Sequence, residues 1–399
     1  MHEPEIAALP DGWPRPGADA LAHSAKLCRL LAERVKIGDG WLSFHDWMEA
    51  VLYEPGLGYY SAGAARFGGA GDFITAPGLS SLFGRTLARQ CAEVLEACGG
   101  DTIMELGPGR GELAVDVLEA LDALDALPAR YLLLDRSAAL RDEQSRRLQR
   151  LPIRLRDRVR WLDRLPAHPL RGVVLANEVA DALPVHRFRR VVDGVDCLGV
   201  GMEADRFVWR WRSADTPLVD QVRDIERALG RELPPGYVSE VSPGLAPWIG
   251  SLADGLDAGL LLIMDYGYPR AEYYRPERSD GTLICHYRHR VHDDALLLPG
   301  LQDITAFVDF TTVAEAGASA GLDVVGYAPQ AHFLMGAGMT RVLEELEWAD
   351  QAEWLRLTQQ AKTLLLPGEM GERFQVLGMG RKLSRVPDGF SLYNHLRRL

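Results

Sequence analysis

Met104-Glu105-Leu106-Gly107-Pro108-Gly109-Arg110-Gly111-Glu112 is the stretch that decides the fold. It follows the apolar run Thr102–Leu106 and opens the helical pattern of Leu113–Leu124. A strand, a glycine-rich turn and a helix in that order form the first unit of nucleotide-binding α/β sheets. Gly107, Gly109 and Gly111 let the backbone turn tightly and approach a ligand where a Cβ would collide. The GxGxG spacing beside an acid differs from the GxGxxG of dinucleotide sites. A helix N-terminus favours pyrophosphate, whereas Glu105 disfavours it and suits a cationic ligand. S-adenosylmethionine (SAM), with an amino-acid end, a sulfonium and no phosphate, fits that description. The bland alternative is a glycine-rich turn that binds nothing.

Outward from the turn, strands and helices alternate. Tyr131–Leu134 is a second apolar run and Val173–Leu175 a third, with a polar helix between them reaching Arg150. Such alternation predicts an α/β fold with a mostly parallel, Rossmann-like sheet. Asp135 closes the second run, where an acid accepts hydrogen bonds from ribose hydroxyls. It could equally serve the start of the next helix, as could Ser137. Asn177-Glu178-Val179-Ala180-Asp181 follows the third run, and Asp265-Tyr266-Gly267-Tyr268 ends a fourth, Leu260–Met264. Ligands in open α/β sheets bind outside the carboxyl ends of the strands. Asn177, Glu178, Asp181 and Asp265 are therefore the candidate catalytic residues, with loop capping as the competing role. Glu105, Gly107, Gly109, Gly111 and Asp135 are the candidate cofactor ligands, joined by Asp72 and Thr75 from Gly71–Pro77, a weaker signal ahead of a helix.

Several segments lie outside this alternation. Leu21–Val35 and Leu79–Ala97 read as helices, as does the segment after Ser43, a candidate N-cap. Arg187–Arg212 reads as an inserted antiparallel hairpin turning at Asp193-Gly194. Residues 268–312 read mostly as loop, a length usually functional or lid-forming, with Tyr273, Tyr274 and Tyr287 as exposed anchors for a partner or as packing residues. Met339–Leu357 reads as one helix. The expected organisation is an N-terminal arm and helical region over 1–98, then a catalytic domain over 99–399 with insertions at about 187–240 and 268–312.

The 399 residues carry a net charge of −12, which argues against nucleic acid as the main partner. Eight arginines between Arg141 and Arg160 read as a solvated face rather than a docking patch. The five cysteines include no CxxC, arguing for a reducing compartment and against a zinc ribbon. His286, His289 and His292 have ligand-like spacing, but Arg288 and Arg290 between them would repel a cation, so no metal is expected. The first residues lack the features of a secretory or an organelle leader, and no apolar run is long enough to span a bilayer. A cytoplasmic location is expected.

GDFITAP (71–77), ELGPGRGELA (105–114), NEVADALPVHRF (177–188), SEVSP (239–243), MDYGY (264–268), GTLICHYRHR (281–290), PGLQDITAFVDF (299–310) and MGERFQVLG (370–378) together resemble the MidA-type methyltransferase family. That family includes a mitochondrial complex I assembly factor that methylates arginine. The resemblance runs from about Leu21 to Leu383. It implies a class I methyltransferase fold, SAM as cofactor, and protein arginine as acceptor, with a respiratory-complex subunit as a candidate partner. The chain departs from the family at three places. Val179-Ala180 stands for an aromatic pair, Asp135 for a glutamate, and Gly78 for an acid. A methyltransferase with a different acceptor, a non-catalytic SAM-binding assembly factor and an NAD-dependent oxidoreductase are the alternatives. The last would need a catalytic His, Tyr-Lys or Cys pair, which the motifs do not supply.

Overall fold

Thr102–Leu106 is buried along its whole length because helices cover both faces of the sheet it belongs to. The computed structural model describes residues 9–62, 75–346 and 350–399. Its main sheet contains β1 (Thr102–Leu106), β2 (Arg130–Leu134), β3 (Val159–Leu162), β4 (Leu170–Asn177), β5 (Leu256–Tyr268), β6 (Asp323–Pro329) and β7 (Phe374–Arg381). The spatial order is β6-β7-β5-β4-β1-β2-β3. Strands β1 to β5 run parallel to one another, and β7 is antiparallel to both β5 and β6. Val308–Asp309 adds a short parallel strand at the carboxyl end of β5.

Side-chain alternation splits these apolar runs between two cores. Ile103, Val173, Leu175, Leu260 and Leu262 face the helices Ser81–Cys98 and Glu112–Ala123. Met104, Leu106, Val174, Leu261 and Ile263 face Leu245–Asp254 and Phe310–Ser319. The order and the one antiparallel strand are those of a class I methyltransferase sheet, as the resemblance implied.

The N-terminal helices and the two insertions build a second layer. An antiparallel sheet joins Leu42–Ser43, His186–Val191, Gly194–Glu203, Arg206–Ser213 and Val238–Val241. The expected hairpin at 187–212 is thus two consecutive hairpins, the first turning at 192–193 and the second at 204–205. The packing also cuts the chain differently from the expected boundary at 98/99. Ser81–Cys98 packs into the main core. Phe44 and Trp47 share a core with Leu198, Val200, Cys285 and Ile304, so the N-terminal helices and both insertions close on one another.

Two further expectations change. Residues 268–312 are mostly loop, as expected, but within them Ile284–Tyr287, Arg290–His292 and Asp303–Thr305 form an antiparallel sheet that the sequence did not show. Polar and aromatic alternation too short to register as strands is stabilised here by cross-strand pairing. Tyr273, Tyr274 and Tyr287 are only 2%, 2% and 3% exposed, so they pack the insertion and do not present a docking face. Met339–Leu357 is broken into Met339–Glu345 and a helix from Gln351, because Asp350 caps a new start by accepting from the Glu353 amide.

Tyr274 tests this packing directly. Its hydroxyl donates to the Glu240 carbonyl at 3.0 Å within a buried cluster. Tyr274→Ala should cost about 3–5 kcal/mol, as other large aromatic truncations do. Scanning calorimetry should show the melting temperature falling by several degrees.

Candidate active site

Leu106 ends β1 and the chain then turns through Gly107, Gly109 and Gly111, all at positive φ (56°, 52° and 83°). The Gly107 amide donates to the Leu134 carbonyl at 3.1 Å, stitching the turn to the end of β2. Gly111 is the N-cap of Glu112–Ala123. A Cβ on Gly107 would meet Val179 at 3.0 Å, whereas one on Gly109 would enter open space. Glu105 does not face that space. It lies 3% exposed beneath the turn, its carboxylate takes the Tyr131 hydroxyl at 2.7 Å, and burial pushes its pKa up to about 8.

Asp135 stands beside the turn, 9% exposed. Its contacts include the helix start, the competing role the sequence offered. Oδ1 accepts from the Ser137 amide at 2.8 Å, at the mouth of the next helix. Oδ2 accepts from Gln144 Nε2 at 2.7 Å. Burial raises its pKa despite these donors. Thr75 caps the short helix Ala76–Leu79, accepting from the Gly78 amide at 3.3 Å. Asp72 lies outside the described residues.

The second half of the site hangs from Asp265 at the end of β5. Asp265 is fully buried. Its Oδ2 accepts from the amides of Val179, Ala180 and Asp181 at 3.2, 2.9 and 3.1 Å, and Oδ1 from the Tyr266 amide at 2.8 Å. Burial raises its pKa to about 7, and the four amides oppose that rise. The expectation that Asp265 is catalytic changes accordingly: its oxygens are committed to backbone, and it shapes the loop that carries the others.

Glu178 leads that loop with φ at +53°, a conformation costly for a residue with a Cβ and often kept at functional sites. Asn177 Nδ2 donates to Glu178 Oε1 at 3.1 Å, while Asn177 Oδ1 is buried without a hydrogen-bond partner among the described residues. Burial and then the Asp265 charge push Glu178 up to about 8. Asp181, 5% exposed, is raised well above the usual carboxylate range by burial and by Asp265, Asp303 and Glu178.

The structure adds residues that periodicity did not flag. Asp303 accepts the Tyr60 hydroxyl at 2.8 Å. Tyr60 stacks on Tyr53, with centroids 5.5 Å apart, and Tyr53 donates to the Ala182 carbonyl at 2.9 Å. Asp303 lies in the quoted stretch 299–310, the one sequence signal for it. Nothing about Tyr53, Tyr60 or Gln144 stands out in composition or spacing, since each acts through a distant segment. The histidines of 286–292 lie around a hairpin, with Cys285 opposite His292 and His289 in the turn at φ +63°. Among the described residues no group of three or more metal-ligating side chains converges, and no helix is long and apolar enough to cross a membrane.

Residues 86–328 match a family model described as "Putative S-adenosyl-L-methionine-dependent methyltransferase". The curated relative "Protein arginine methyltransferase NDUFAF7, mitochondrial" of Danio rerio is 29% identical over 401 residues, covering 91% of this chain and 89% of that protein. Its human counterpart is 27% identical, covering 88% and 83%. A superfamily member from Burkholderia thailandensis, solved with S-adenosyl-homocysteine, is 40% identical with a TM-score of 0.91, covering 97% of this chain and 100% of that one. The expected cytoplasmic location does not stand against relatives named as mitochondrial. Free thiols report a reducing environment and do not separate one reducing compartment from another. With the sheet order, the glycine turn and the acids at the strand ends, these matches establish that the chain belongs to the MidA-type family of SAM-dependent methyltransferases.

Proposed function

We propose that this methyltransferase modifies an arginine side chain of a partner protein, with Glu178 and Asp181 receiving the acceptor. The observation that carries this is the gathering of carboxylates, Glu178, Asp181 and Asp265, in buried or half-buried positions at the ends of β4 and β5. Buried acids of one sign are costly unless a cation joins them. An arginine guanidinium is always charged and presents a flat fork of donors. The curated relatives named as arginine methyltransferases support the same acceptor. A respiratory-complex subunit, implied by the family resemblance, is the partner class to test first.

SAM supplies a methyl group on a sulfonium. The residues present fit it. Gly109 leaves room for close approach, Asp135 stands where ribose hydroxyls would be accepted, and Asn177 Oδ1 is a buried acceptor in need of a donor, such as an ammonium. Glu105 supports the turn from below. Thr75 shapes the entry to the following helix. On the acceptor side, Glu178 and Asp181 orient the guanidinium by charge-assisted hydrogen bonds, offset its repulsion from a second cation, and take the proton it loses. Asn177 orients the Glu178 carboxylate, and Asp265 holds the loop. Positioning of this kind is the main requirement of an in-line displacement.

Three outcomes follow. Gly109→Val should abolish calorimetric binding of S-adenosyl-homocysteine, since its side chain fills the open space beside the turn. Glu178→Gln should leave that affinity within a few-fold yet slow transfer to protein by about two orders of magnitude, the scale of one positioned acid–base group; an unchanged rate would remove Glu178 from the chemistry. The third concerns pH. Below about pH 8 Glu178 is largely protonated in the free protein, and a bound cation favours its charged form. Binding of the acceptor should then release a proton, and kcat/KM should rise from pH 6 to pH 8. Calorimetry in buffers of different ionisation enthalpy measures that release, and Glu178→Gln should diminish it.

A further inference from the structure

Gln144 is fully buried in a helix, Ala138–Leu148, whose other buried residue is Leu148. Burying an amide is unfavourable unless its groups are partnered, and a leucine would fill the position without that demand. Three hydrogen bonds meet the demand here. Nε2 donates to the Gly109 carbonyl at 2.8 Å and to Asp135 Oδ2 at 2.7 Å. Oε1 accepts from the indole of Trp161 at 2.8 Å. An indole N–H can only donate, so Trp161 fixes which end of the amide faces it. Both amide hydrogens are thereby aimed at the turn and the acid. A Cβ on Gly111 would lie 3.4 Å from Gln144 Cγ, so the turn also rests on this side chain.

We propose that Gln144 is a positioning residue that sets the spacing between the glycine turn and the second-strand acid, and so the width of the slot for the cofactor's nucleoside. It acts through Gly109 and Asp135, and Trp161 holds it in register. This rests on the reading that the cofactor lies between that turn and Asp135. The charged groups around it are few and mostly engaged. Arg141 binds the Asp135 carbonyl and Asp163, Arg110 pairs with Glu143 at 3.5 Å, and Arg147 with Glu112 at 2.6 Å. Asp135 is thus the titratable group that faces the amide directly.

The experiment is calorimetric titration of the full-length protein and its variants with S-adenosyl-homocysteine, with melting temperatures measured alongside. Gln144→Leu should weaken binding by about tenfold or more, the loss expected when a charged acceptor loses its donor. Gln144→Glu separates positioning from packing. Burial and the adjacent Asp135 carboxylate favour its protonated form, which donates to Asp135 though no longer to the Gly109 carbonyl, so its affinity at about pH 5.5 should lie within a few-fold of the parent. Ionised, it faces a second carboxylate, so the ratio of variant to parent affinity should fall as the pH rises to about 8.5. A flat ratio across that range would overturn the proposal, whether affinity is unchanged or uniformly reduced with a lower melting temperature. Trp161→Phe keeps the ring and removes the N–H, and it decides the matter should the Gln144 variants not fold. An affinity loss of about threefold at an unchanged melting temperature supports the proposal, and no loss overturns it. Gly109→Val guards the underlying reading: if it binds as the parent does, the site itself is misplaced, whatever the Gln144 variants do.

Discussion

The carboxylate of Asp265 is the interaction on which the site depends. Three consecutive amides, Val179 to Asp181, converge on one of its oxygens. This forces the chain leaving β4 to curl over the sheet edge instead of continuing the strand. The curl places Glu178 in a left-handed conformation that an unconstrained chain would rarely adopt. It also brings Asp181 toward Asp303 from the second insertion, and the Ala306 amide bonds the Asp181 carbonyl at 3.0 Å. Removing an acceptor of four amides, two of them buried, would leave each without this partner, a cost far above that of an exposed substitution.

Both halves of the site hold acids whose pKa values burial raises. Around the glycine turn, acids are matched by donors: Glu105 by Tyr131, Asp135 by Ser137 and Gln144. Beyond β4 and β5, Glu178 and Asp181 are raised by burial and by neighbouring carboxylates.

The sheet and the strand-end acids were legible in the sequence because both rest on local signals. Continuous apolar runs ended by glycines and acids mark buried parallel strands, and loops at their carboxyl ends line the ligand crevice. Non-local structure was not legible. The strands of 284–305 exist only through pairing with one another, and Leu42–Ser43 is a strand because Gly194–Glu203 runs beside it. The backbone commitment of Asp265 was not legible either, since residue type cannot show that one of its oxygens is filled by amides 84–86 residues away. Gln144 carried no signal, because its importance lies in three partners from three separate segments.

The central claim is that the acidic half of the site receives a cationic side chain. Incubation of the purified protein with methyl-labelled SAM and a protein extract, followed by residue-level mass spectrometry, tests it most directly. Label should appear on the side-chain nitrogens of arginine in a protein. Label on a small molecule, on nucleic acid or on an uncharged side chain would contradict it.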